Sequence, residues 1–101
     1  MSKSKVPASK ATKFNPFPVG KTMFIRTVTH HFTGKLVEVH AGELVLEQAA
    51  WIADDGRFAD AVSRGAFKEV EPFPPDARVI VNRGSLVDAL KITFKLPCSQ
   101  K

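Results

Sequence analysis

Residues 22–48 read TMFIRTVTHHFTGKLVEVHAGELVLEQ, and this stretch decides the fold class. β-Branched and aromatic residues dominate 22–32, TMFIRTVTHHF, which predicts a strand. In it Phe24, Arg26, Val28, His30 and Phe32 alternate with Met23, Ile25, Thr27, Thr29 and His31. Thr33-Gly34 signals a turn. Residues 35–40, KLVEVH, predict a second strand, Ala41-Gly42 a tight connection, and residues 43–48, ELVLEQ, a third strand. Three short strands with tight connections imply an antiparallel meander.

Downstream, Asp54-Asp55-Gly56 reads as a turn, with either aspartate placed to cap a short helix over 57–64. Phe58 and Val62, spaced i, i+4, predict its buried face, and Gly65 its stop. Residues 66–71 and 78–82 predict further strands, with Phe67 and Val70 in the core. Pro72, Pro74 and Pro75 mark an exposed crossing between them. Arg83-Gly84-Ser85 is a turn. Lys91 to Leu96 alternates as a strand does, while Leu86 to Leu90 fits either a strand or a helical turn. Lys91, Thr93 and Lys95 then share one face, either as anion contacts or as edge lysines.

Upstream, residues 1–20 are rich in Ser, Lys, Ala and Thr and carry Pro7, Pro16 and Pro18, the composition of an arm. Phe14 and Phe17 stand out in it and are expected to dock on the body or on a neighbouring subunit. The organisation expected is an arm over 1–20, one β-rich domain over 21–97 and a tail over 98–101.

The chain has 101 residues, 44% of them hydrophobic and 25% charged, which suits one small globular domain. No apolar run suits a membrane span or a secretory signal. A single cysteine, Cys98, excludes a disulfide framework and a multi-cysteine zinc site. The charge is asymmetric. Residues 1–37 carry seven basic groups (Lys3, Lys5, Lys10, Lys13, Lys21, Arg26 and Lys35) and no acidic one. The remaining residues carry eight basic and ten acidic groups. A basic front on a near-neutral body attracts polyanions or an acidic protein surface, and also suits a solubilising tail.

The piece Phe32 to Ala49 resembles the first motif of Sm-like proteins, through Gly34, Leu36, Val39, a short turn and Glu43-Leu44-Val45-Leu46-Glu47. That resemblance implies a strongly bent antiparallel barrel of the SH3/Sm-like kind, with one short helix and an extended N-terminal arm added here. The family's RNA site, an acidic residue and an asparagine beside the turn, does not carry over, because His40-Ala41-Gly42-Glu43 lacks the asparagine. A wider region, about residues 24–84, resembles small uncharacterised proteins of tailed bacteriophages. Phe24 to Thr29, Thr33-Gly34, Ala49 to Asp54, Gly56-Arg57-Phe58, Glu69 to Pro74 and Val81 to Gly84 carry this likeness. It implies a viral protein, in host cytoplasm or virion, and brings no catalytic residues.

Ala49 to Phe58 is the densest candidate site. Trp51 could stack on a base and Arg57 could pair with a phosphate. Structurally, Trp51 and Ile52 would instead plug the open end of a barrel. His30 and His31 point to opposite faces of a strand, so with His40 they make a poor metal site. No nucleophile elbow, phosphate-cradling loop or His-Glu helix motif is present, and no enzyme activity or cofactor is expected.

The first functional expectation is a self-associating, non-enzymatic module for an anionic ligand, nucleic acid or nucleotide. Arg26, Trp51, Arg57 and Arg83 would carry it together with Lys3, Lys5, Lys10 and Lys13. The second is a structural virion or assembly protein whose arm docks on neighbouring subunits through Phe14 and Phe17. A third, an inhibitor of a host defence protein or signal, follows only from the phage likeness.

Overall fold

A computed structural model describes residues 14–101. The expectations for Lys3, Lys5, Lys10 and Lys13 lie outside the described residues. The elements in chain order are β1 (Thr22–Thr27), β2 (His31–Val39), β3 (Glu43–Asp54), α1 (Phe58–Arg64), β4 (Glu69–Pro72), β5 (Arg78–Asn82), a 3-10 turn (Arg83–Ser85) and β6 (Leu86–Lys91). All strand pairs are antiparallel. The order is β4-β3-β2-β1-β6, and β5 pairs with the other part of β3.

The expected meander is present, with shifted boundaries. The first strand stops at Thr27, because the Thr27 side chain closes a turn. Its Oγ1 donates to the His30 carbonyl at 2.8 Å and accepts from the His30 N–H at 2.9 Å. Thr33-Gly34 is therefore not a turn but lies inside β2.

β3 is long because, besides β2 along one edge, it serves two partners along the other. Glu43 to Glu47 pairs with β5, and Ala50 to Asp54 pairs with β4. The division falls at Gln48, which takes a left-handed backbone with φ 53°. Opposite the single residue Gly34, β3 has two, Gln48 and Ala49, so the register slips there. This is a β-bulge, and it bends the strand. Gly34 permits the close crossing: a Cβ there would lie 3.1 Å from the Leu46 Cβ and 3.3 Å from the Ala49 Cβ.

The sheet curls strongly. β5 and β6 occupy edges four strand spacings apart, about 19 Å if the sheet were flat. Yet only Arg83–Ser85 separates them, and the chain from Asn82 to Leu86 reaches at most about 14 Å. Curling brings the edges together. Among the described residues no strand pairing closes the sheet into a barrel.

Period-two alternation gives the sheet two apolar faces. Met23, Ile25, Leu36, Leu44, Leu46, Ala49 and Val81 form one core, joined by Val79 and Leu86 from the two edges, so it lies inside the curl. Phe24, Ala50, Ile52, Phe67, Val70 and Ile92 form the other, on the outer face, covered by Ala61 of α1. Phe67 and Val70 are buried as expected.

α1 ends at Gly65, φ 69°, as expected. Its beginning differs. Arg57 holds the N-cap position without a side-chain bond. Neither aspartate caps: Asp54 Oδ1 accepts from the Gly56 N–H, and Asp55 binds His31. Phe58 is 47% exposed rather than buried, since the helix has only seven residues and packs through Ala61 and Val62.

The last strand is Leu86–Lys91, not Lys91 to Leu96. The Ile92 N–H still donates to the Thr22 carbonyl at 3.0 Å, but the chain then leaves the strand and Ile92, Phe94 and Leu96 pack on the outer core, so Lys91, Thr93 and Lys95 share no strand face. The segment read as a tail reaches β4, where Lys101 and Val70 exchange both backbone hydrogen bonds at 3.0 Å. No helix among the described residues is long and apolar enough to cross a membrane.

Candidate functional site

The site begins with the pairing of β2 and β3, which sets Phe32 directly opposite Trp51. The turn after β1 brings His30 beside both. Its ring centroid is 6.1 Å from that of Phe32 and 5.9 Å from that of Trp51. Phe73, just beyond β4, is held by its N–H donating to the Ala49 carbonyl, and its ring stacks on Phe32 at 6.3 Å. Four rings thus form a continuous strip bordering the inner core, against which Phe32 and Phe73 pack.

Strand alternation separates the Trp51-Ile52 pair that was expected to plug a barrel end. Ile52 turns to the outer core and is buried, while Trp51 remains 39% exposed on the strip.

Two adjoining hollows share His30 and Trp51, each of about 410 Å³. One is lined further by His31, Asp54 and Asp55, the other by Phe32, Glu71, Phe73 and Pro74. No Lys or Arg lines either hollow. Of their three carboxylates, Asp55 accepts from His31 Nδ1 at 2.9 Å and Glu71 from Gln100 Nε2 at 2.9 Å. Asp54 is exposed. The surface is aromatic and acidic.

The arginines expected to join Trp51 are elsewhere. Arg26 makes a two-pronged bond to Asp88, with Nε donating to Oδ1 at 2.7 Å, and its guanidinium lies 4.8 Å from the Phe58 ring centroid. That hydrogen bond holds the Asp88 carboxyl below the usual carboxylate range and raises the Arg26 guanidinium further. Arg57 is exposed at the start of α1. Arg83 belongs to the β5–β6 turn, where it donates to the His40 carbonyl at 2.7 Å and lies 4.6 Å from the Phe17 ring centroid. Arg26 and Arg57 therefore flank Phe58, Arg83 stands apart from them, and none lines the hollows at Trp51.

Of the two arm phenylalanines, Phe17 is half-buried against the inner core of its own chain. Phe14 is 77% exposed, beside Leu90 and Lys91 on β6.

The histidines are dispersed. His30 meets Thr29, His31 meets Asp55, and His40 meets Glu38 at 2.8 Å. The His40 bond, followed by the charge of Arg78, keeps the Glu38 carboxyl below its ordinary range. No group of three metal-binding side chains occurs among the described residues.

Sequence reasoning singled out Trp51, weighed His30 only as a metal ligand, and did not join Phe32 or Phe73 to the site. A signal for Phe73 existed, since Pro72 and Pro74 isolate one aromatic residue on a segment read as exposed.

Searches of protein families, curated proteins and solved structures find no match to this chain.

Proposed function

We propose that this chain is a non-enzymatic, self-associating structural protein of a tailed-bacteriophage assembly, and that subunits dock on the strip of His30, Phe32, Trp51 and Phe73. The observation that carries the reading is the strip itself. Four rings gather at one partly exposed place, and aromatic residues are the commonest anchors of protein interfaces. The phage origin is supported by the likeness of residues 24–84.

The fold is read as a small bent barrel of the SH3/Sm-like kind. The run β6-β1-β2-β3-β5, with a 3-10 turn joining β5 to β6, supports this.

A second reading, a module for nucleic acid or a nucleotide, rests on the basic front of the chain. The acidic lining beside Trp51 favours the first.

Sedimentation velocity over a concentration series tests the proposal. Trp51→Ala is expected to weaken self-association about 30-fold, the effect of losing an aromatic anchor worth about 2 kcal/mol. Val19→Ala, at an exposed site outside the strip, is expected to leave it unchanged. A parent protein that stays monomeric, or a Trp51→Ala protein that associates like its parent, overturns the proposal.

A further inference from the structure

We propose that residues 1–13 of a neighbouring copy fill the acidic, ring-lined groove at Trp51. The inference rests on the docking role given above to the strip and names what docks there.

Three observations carry it. The first is charge. The groove is bordered by Asp54, Asp55 and Glu71 and lined by no cationic Lys or Arg side chain. Residues 1–13, MSKSKVPASKATK, carry four lysines and no acidic residue. Opposite charges of this kind steer the encounter and select the partner.

The second is shape and chemistry. Grooves lined by aromatic side chains take extended, proline-containing segments, which lose little entropy on binding. Pro7, between Lys5 and Lys10, supplies such a segment. Its ring and Val6 suit the faces of Phe32 and Phe73. A lysine ammonium over the Trp51 indole gains a cation–π contact, while the neighbouring carboxylates take the other lysines.

The third is the path of the chain. Phe17 is anchored on the inner core, and the Gly20 N–H donates to the Leu36 carbonyl at 2.7 Å. Phe14 lies beside Leu90 and Lys91 of β6, while the ring strip lies on β2, β3 and the end of β4. β6 and β4 end the strand order at opposite sides. The preceding residues start beside β6, and thirteen residues reach up to about 43 Å when extended, enough to bridge to the groove of an adjacent copy.

The test uses the full chain with Lys3→Glu, Lys5→Glu, Lys10→Glu and Lys13→Glu combined. These positions lie outside the described residues. Trp51 is the protein's single tryptophan, so its fluorescence reports on the groove alone. At concentrations where the parent associates, its Trp51 should be protected from acrylamide. The charge-reversed protein should show red-shifted emission and lose that protection. Adding a synthetic peptide of residues 1–13 should restore it, and raising the salt should abolish it.

Equal emission and quenching in the two proteins would overturn the inference. Protection that persists on dilution to the monomer would assign the groove to the chain's own arm and also overturn it. Nuclease treatment that exposes Trp51 would assign the groove to nucleic acid, with the same consequence. If Trp51→Ala abolishes association while charge reversal changes nothing, the docking role of the strip stands and this occupant is wrong.

Discussion

Phe67→Ala is expected to remove about 3–5 kcal/mol of stability, the range for deleting a buried phenylalanine. Phe67 is 1% exposed and joins the helix side of the molecule to the sheet. Its ring lies 5.7 Å from Phe24 on β1 and 5.8 Å from Phe94 in the C-terminal segment. Truncation would leave a hole between Phe24 and Phe94, the other two aromatic rings of that core. A domain of this size has only about 5–15 kcal/mol in total, so much of the folded population margin would go. Urea unfolding followed by Trp51 fluorescence measures the effect. A loss below about 1 kcal/mol would mean that the outer core is not a cooperative part of the fold.

Gly34→Val is expected to destabilise by about 1–3 kcal/mol, through overpacking rather than loss of contact. The added Cβ would stand 3.1 Å from the Leu46 Cβ and 3.3 Å from the Ala49 Cβ. Both are first side-chain atoms, fixed to β3 next to its bulge at Gln48, and cannot swing aside. The valine branches would add further crowding. Relief requires β2 to move off β3, which unbends the sheet and shifts Phe32 relative to Trp51. Gly34→Val should therefore also change the Trp51 emission of the folded protein. Unaltered stability would show that the crossing has slack and that Gly34 is not what permits the bend.

The two expectations mark the boundary between what was legible in the sequence and what was not. Buried Phe67 could be read from its place in a short apolar segment. Gly34 could be noticed but not interpreted, because glycine serves a turn and a close backbone approach equally well. The true turn was hidden because Val28, Thr29 and His30 look like strand, and the bonds from the Thr27 hydroxyl and backbone N–H to His30 that close it leave no sequence pattern. Likewise the continuation of β3 to Asp54 depends on pairing with β4, which lies beyond α1 in the chain.

The site followed the same pattern. Alternation within β3 sufficed to send Trp51 and Ile52 to opposite faces once β3 was known to continue. Phe73 reaches the strip through a backbone bond to Ala49, twenty-four positions away, and no local pattern shows that. The arginines were visible as charge, but their partners were not. Asp88 stands sixty-two positions from Arg26, and binding to it commits that guanidinium at the surface of β1 and β6.

The most direct test of the central claim is native mass spectrometry of gently purified full-length protein at low salt, which reports assembly state and bound mass together. A protein that assembles through an aromatic groove filled by its own kind should appear as a ligand-free oligomer. A monomer carrying the mass of a nucleotide or oligonucleotide would contradict the account and make the basic front of the chain its binding site.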